Sequence, residues 1–424
     1  MTQASARSAD EINLADQEIF LRGEAHDLFR ILRRERPVHW SAPAASALSG
    51  FWSITKLDDV VQISRNPELF ISGHGITMQS PQGSTQIQNN PILSGRMMIS
   101  TDPPDHVRLR RLVNKGFTPR AVRSLEPHIR EITTGIIDDV AARGSCDFVT
   151  DVAAQLPLAV ICELMGIDRQ YWQLMFELTN RVLGSSDAEY QTEGDTVGTI
   201  EAARATAMQG WGRMFEHFMN MIEERKAQPR QDLVGILVNA DIDGEQLSLG
   251  DILQFCALLV IAGNETTRNA ISGGMLALAQ HPEEKQRLID HPELIDTAVE
   301  EILRWTSPVA HMARVATRDI EIRGQRIREG ERVVMWYGSV NRDEDYFEDP
   351  YRFDITRSPN DHLAFGIGEH FCLGAGFARL EIKVMFQELL RRLPDITTAG
   401  PPELLRSNFI AGIKHLPVEY TPER

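Results

Sequence analysis

A single large domain, mainly α-helical with minor β-structure, is what the sequence predicts, and three observations predict it. Helical periodicity runs through most of residues 105–300, as in 125–142 and 204–226. Strand-like runs are few and short: 50–55 early in the chain, then Ile320–Ile322, Gln325–Ile327 and Arg332–Trp336 around turns. No linker rich in Gly, Ser or Pro, no internal repeat and no low-complexity tract divides the 424 residues, although the length alone would allow two or three domains.

The elements follow in order. Residues 1–15 carry no clear pattern and are expected to be flexible, and 24–34 reads as a short helix. Residues 71–100 are rich in Gly, Ser, Gln, Asn and Pro; a stretch this long without periodicity is usually functional or mobile. Ser248, followed three residues later by Asp251, resembles a capping box, and His281-Pro282 is a stop, so a helix spans about 248–280. A loop-rich segment, 341–372, precedes a last helix over about 373–393.

Composition sets limits on function. Lys and Arg number 44 against 60 Asp and Glu, a net charge of −16, with 42% hydrophobic and 25% charged residues. Those values exclude a disordered chain, a collagen-like fibre and a disulfide scaffold. They also argue against nucleic acid as a partner, because a polyanion needs a basic footprint. The cysteines (Cys146, Cys162, Cys256 and Cys372) form no CxxC pair, which fits neither a zinc site nor a disulfide framework and suits a reducing compartment. Residues 1–34 hold no stretch apolar enough for a signal peptide, and the longest apolar run, 255–262, is far short of the roughly 18 residues of a membrane span. A cytoplasmic protein with no membrane span is the expectation.

Two segments carry chemistry. The helix over 248–280 is apolar nearly all round until Ala262-Gly263-Asn264-Glu265-Thr266-Thr267 interrupts it. A buried Gly weakens a helix by about 1 kcal/mol relative to Ala, and a Thr hydroxyl competes for the carbonyl four residues back. That suits close approach of a ligand to the backbone; the alternative is a helix emerging into solvent at Asn264. The second segment is Phe365-Gly366-Ile367-Gly368-Glu369-His370-Phe371-Cys372-Leu373-Gly374. Two glycines permit a tight path, and a cysteine at a helix N-terminus has its thiolate stabilised by free N–H groups and the helix dipole. Most lone cysteines are small buried hydrophobes, the reading given to Cys146, Cys162 and Cys256. F-G-x-G-x-H-x-C-x-G is too specific for that. It should arise by chance in roughly one chain of this length per million.

On these residues the chain resembles the cytochrome P450 superfamily over nearly its whole length, and F-G-x-G-x-H-x-C-x-G is that family's haem signature. The resemblance implies the P450 fold, with small sheets around a buried haem b (iron protoporphyrin IX), Cys372 as the thiolate ligand of iron, Phe365 near the sulfur, and Gly374 beside the cofactor. Ala262-Gly263-x-Glu265-Thr266-Thr267 resembles the oxygen-activation motif, with Ala262 and Gly263 against the cofactor and Glu265 and Thr266 catalytic. Glu301 and Arg304 resemble the E-x-x-R pair, and Arg352 matches the arginine that completes their network. His106 and Arg110, after Asp102-Pro103-Pro104-Asp105, together with Arg314 and His370, correspond to contacts with the haem propionates.

The roles follow from the chemistry. A thiolate ligand favours O–O cleavage, which also needs protons delivered without flooding the site. Thr266 offers a hydroxyl to dioxygen and Glu265 relays protons; the alternative for Glu265 is a surface ion pair. The resemblance further places the substrate pocket at the 71–100 access loop, residues 175–210, 258–262 including Leu259, Val309, His311, Met312, and the turn bearing Phe409 and Ile410. These are mainly apolar side chains, with His311 as a polar handle, so the substrate is a lipophilic small molecule. Residues 262–269 and 412–415 resemble actinobacterial hydroxylases of sterol side chains, branched lipids or terpenoids. No G-x-G-x-x-G fingerprint or flavin domain accompanies the signature, so electrons are expected from a ferredoxin and ferredoxin reductase with NAD(P)H, docked in part by Arg108, Arg110, Arg111, Lys115, Arg120 and Arg123. Alternatives are peroxide-driven oxidation and a non-catalytic haem sensor or lipid binder.

Overall fold

The computed structural model describes residues 8–44, 49–78, 95–191, 196–242 and 245–423; most of the expected access loop, 79–94, lies outside them. The helices that position the site are α1 (Ala25–Glu35), α2 (Asp105–Val113), α3 (Pro119–Ala141), α4 (Gln155–Met165), α5 (Trp172–Leu183), α6 (Ile200–Ala227), α7 (Leu249–Gln280), α8 (Ile295–Thr306) and α9 (Ala375–Arg392).

The organising element is α7. Its 32 residues span about 48 Å, and α4, α5, α6, α8 and α9 all pack against it. Such a position demands an apolar surface on every side, and Leu253, Phe255, Cys256, Ala257, Val260, Ile271 and Met275 are all buried. Truncating a leucine here costs about 2–5 kcal/mol. Among the described residues α7 is also the one helix long and apolar enough to cross a membrane; 72% of its most apolar 18-residue window is buried inside the fold. Near its C-terminal end a Cβ on Gly274 would come within 2.9 Å of both Ile302 on α8 and Phe386 on α9. Glycine there sets the spacing of all three helices.

The start of α7 is half of the expected capping box. Ser248 Oγ accepts the Asp251 N–H at 3.1 Å, but the Asp251 carboxylate takes the Ser248 hydroxyl at 2.8 Å, the Arg96 N–H at 2.7 Å and the Arg96 guanidinium in place of the Ser248 N–H. The helix ends as expected, with the His281 N–H on the Ala277 carbonyl at 3.0 Å before Pro282 opens the next one.

The strands form one main sheet. It orders β1 (Val38–Ser41), β2 (Phe51–Ile54), β5 (Arg332–Trp336), β4 (His311–Ala316) and β3 (Phe70–Ile71). β2 and β5 run parallel, with Arg332 opposite Phe51, and the other pairs are antiparallel. The hairpin Ile320–Ile322/Gln325–Ile327 is separate. Of the N-terminal segment expected to be flexible, residues 1–7 lie outside the described residues, while Ile12, Leu14 and Ala15 are buried in the cluster around α1 and Trp336. Apolar side chains, not periodicity, hold that segment in place.

Candidate active site

The cysteine loop is shaped by two glycines. Gly366 and Gly368 adopt φ of +69° and +80°, a region costly for side chains, and a Cβ on Gly368 would lie 2.4 Å from the Ser64 carbonyl oxygen. The turn closes where the Cys372 N–H donates to the Phe365 carbonyl at 3.0 Å. Cys372 precedes α9 by three residues, with Gly374 at its N-cap. Burial pushes the thiol up, while the N–H groups of Gly374 and Ala375 and the charges of Arg110 and Arg379 pull the other way. The Arg379 guanidinium lies over Phe365, 4.6 Å from its ring centroid.

A buried ionic network holds this loop. Glu301, wholly buried, accepts from Arg304 Nε and Nη2 at 2.7 Å each, from Arg357 Nε at 3.2 Å, from Asn360 at 3.1 Å and from the Asp354 N–H at 2.9 Å. Arg304 also donates to the carbonyls of Asn341 and Pro350, and the Asn341 side chain accepts the Leu363 N–H just ahead of the loop. The expected third member is corrected here. Arg352 is exposed and contributes its carbonyl, to Arg304 and Arg357; the guanidinium that reaches Glu301 belongs to Arg357. Neighbouring Glu300 pairs with Arg379 at 2.6 Å and with His362. Burial would raise its carboxyl, yet the hydrogen bonds from Arg379 and His362 bring it down to about 2.

Between the loop and α7 lies a cavity whose empty space, mouth included, is about 1540 Å³. Cys372, Phe365 and Gly374 form one wall, and Ala262, Gly263 and Thr266 face it from α7. Gly263 packs closely there: a Cβ would sit 3.0 Å from the Ile161 side chain on α4. The α7 polar stretch does not emerge into solvent: Asn264 and Glu265 are buried. The Thr266 hydroxyl donates to the Ala262 carbonyl at 2.8 Å. Glu265 pairs through one oxygen with Arg268 at 2.5 Å, and Arg268 donates to Asn180 of α5 at 2.8 Å. The second oxygen of Glu265, the side-chain amide oxygen Oδ1 of Asn264 and Arg268 Nε are buried without partners. Burial raises the Glu265 carboxyl against the pull of Arg268.

His106, Arg110, Arg314 and His370 line one rim of the same cavity. The rings of His106 and His370 lie 4.1 Å apart, His106 Nδ1 is buried without a partner, and Arg314 donates to the adjacent Ala313 carbonyl. Burial pushes His106 and the two arginines down, and it drives His370 down to about 2 with help from Arg314, His106 and Arg110. The nearby acid, Asp102, is occupied by the N–H groups of Ser72 and Gly73. Four basic groups crowded on one rim fit a ligand that brings carboxylates. With a cysteine on one wall and apolar walls elsewhere, the residues present fit a haem with its two propionates.

The cytochrome P450 family model matches residues 78–397. The chain belongs to the cytochrome P450 family. It is 40% identical to the methyl-branched lipid omega-hydroxylase of Mycobacterium tuberculosis, covering 99% of this chain and 98% of that protein. It is 38% identical to the steroid C26-monooxygenase of Mycolicibacterium smegmatis, over 92% and 89%. A solved Mycobacterium marinum cytochrome P450, in complex with pseudoionone, superposes with a TM-score of 0.89 at 36% identity, covering 98% of this chain and all of that one. This P450 is therefore a monooxygenase whose cofactor is haem b.

The pocket residues divide. Leu259, Val309 and Met312 line the cavity, with Ile99 and Leu258. His311, Phe409 and Ile410 do not, nor does any described residue of 175–210. His311 is buried on the opposite face of β4, its Nδ1 2.7 Å from the Asn408 carbonyl and its ring against Trp336 and Phe409. Ile410 bridges to Val309 as backbone. Burial lowers His311 to about 4, so it is a neutral core histidine, not a substrate handle. Sequence reasoning missed Arg357, Arg379, Glu300 and Tyr337; Tyr337 lines the cavity beside Arg314.

Proposed function

We propose that this P450 uses dioxygen to hydroxylate an unactivated C–H bond of a lipophilic substrate: a methyl-branched lipid, sterol side chain, fatty acid or terpenoid. The observation that carries the reading is one cavity with Cys372 on one wall, the Thr266 hydroxyl on the other, and a buried acid, Glu265, behind it. Haem ligated by the Cys372 thiolate supplies binding and cleavage of dioxygen. His106, Arg110, Arg314 and His370 would hold the propionates, and Ile99, Leu258, Leu259, Val309 and Met312 give the substrate an apolar surface that excludes water. Glu265, once released from its ion pair with Arg268, takes up a proton at its carboxyl and hands it toward the Thr266 hydroxyl. The names of the two mycobacterial relatives favour the lipid and sterol classes.

Electrons arrive one at a time from a ferredoxin recharged by a reductase and NAD(P)H, in the cytoplasm. A groove beside Cys372 supports this, lined by Arg110, Arg123 and Arg379 with Phe371 40% exposed at its edge. Arg111 and Arg120 are exposed on the same stretch of chain, a basic surface suited to an acidic partner.

The test is reconstitution. Branched lipids and sterols are screened for displacement of the water-ligated spectrum, and binders are then incubated with ferredoxin, reductase and NAD(P)H, or with peroxide alone. Hydroxylated product in the first arm only is expected. Product with peroxide alone supports peroxide-driven oxidation, and binding without product in either arm supports a lipid binder. Arg111→Glu with Arg123→Glu is expected to slow ferredoxin-supported turnover about tenfold at low salt.

A further inference from the structure

Glu381 is the seventh residue of α9, just under two turns in, on the face turned to the core. Only 4% of the residue is exposed, and it lines the same cavity as Cys372, alongside Phe377 and Ala378 of α9 and Thr267 and Ala270 of α7. A carboxylate in such surroundings ordinarily has a cation or several N–H donors. Glu381 Oε2 has no hydrogen-bond partner.

Many of the charges on the neighbouring helices are engaged elsewhere. On α3, Arg130 is bound to Glu388, Gln387 and Glu126, and Asp138 to Arg392. On α4, Glu163 is bound to His128. On α8, Glu301 and Arg304 are paired, Glu300 holds Arg379 and His362, and Asp296 holds Lys383. On α7, Glu265 and Arg268 face α5. With none of these acting on it, burial alone pushes the Glu381 carboxyl up to about 8.

We infer that Glu381 is a proton-holding group of the cavity, and that its charge is coupled to the charge of the haem iron bound there. The inference rests on haem occupying this cavity. At neutral pH the carboxyl is protonated and uncharged; above its titration it places a negative charge in the low-dielectric site. A carboxylate there opposes addition of an electron, so reduction of ferric iron draws a proton onto Glu381. The step balances: a one-electron donor reduces ferric to ferrous iron, and one solvent proton converts carboxylate to carboxylic acid.

The ferric/ferrous midpoint potential of the holoenzyme is measured from about pH 6.5 to about 9.5, with the ferrous–carbon monoxide spectrum recorded first to establish thiolate-bound haem. The wild-type potential is expected to fall as pH rises through about 8. Glu381→Gln, which keeps the shape without the charge, should match the wild type near pH 7 and lack that fall. Equal slopes in both proteins, or a flat wild-type profile, would overturn the inference while leaving the haem reading intact. A variant that does not load haem leaves the infrared spectrum of the wild type decisive. A buried carboxylic-acid carbonyl band should vanish near pH 8 and persist to higher pH on reduction; a band absent at pH 7, or indifferent to reduction, overturns it.

Discussion

On the Cys372 side of the cavity, the Glu301 carboxylate is saturated, accepting from Arg304, Arg357, Asn360 and the Asp354 N–H. On the α7 side, Glu265 is as deeply buried but uses one oxygen, on Arg268, and leaves the other without a partner. Both are glutamates three residues ahead of an arginine on a helix, so the sequence pattern is nearly the same. What differs is the surroundings. The first site receives carbonyls, an amide and a second arginine from the 341–360 segment, and so fixes a loop. The second is set between two helices with groups left over, and a buried group with spare hydrogen-bonding capacity is able to change partners. The satisfied network holds a position, while the unsatisfied one suits the proton transfer proposed for it.

Replacing Glu301 by Gln tests the first half of that contrast and should have the largest effect. It strands two buried arginines, which costs about 3–5 kcal/mol, and the variant should lose haem loading and unfold at markedly lower denaturant. A variant with wild-type stability would mean the network is not structural. His311 gives the next largest effect and separates core histidines from catalytic groups. Its folded-state value, about 4, lies below the ordinary 6.5, so stability is full above about pH 6.5 and lost as pH falls toward 4, by about 3 kcal/mol. Denaturant unfolding across that window should show the loss, and His311→Gln should reduce it. Glu265→Gln tests the second half. Turnover should fall about a hundredfold with substrate binding and haem loading unchanged, and Thr266→Ala should consume electrons without proportionate product. Destabilisation of Glu265→Gln as severe as that of Glu301→Gln would erase the distinction.

Much of this is legible in the amino-acid sequence. Cys372, the two glycines of its turn and the α7 interruption are readable as local patterns, whereas the four basic rim residues, scattered over three segments, are reached only through the family resemblance. The misses share a different cause. Arg352 and Arg357 lie in one irregular segment, and no periodicity says which guanidinium turns inward. His311 was recoverable: adjacent residues of a strand face opposite ways, so with Met312 and Arg314 at the cavity, His311 had to face the other side. Arg379 and Glu300 pair across two helices, a contact that sequence spacing cannot express.

The bond between the Cys372 sulfur and haem iron is tested most directly by the absorption spectrum of the reduced, carbon monoxide-treated holoenzyme. A thiolate-type Soret band, lost in Cys372→Ala, is the expected result. An imidazole-type band in the wild type, or a thiolate-type band that survives in the variant, would contradict it.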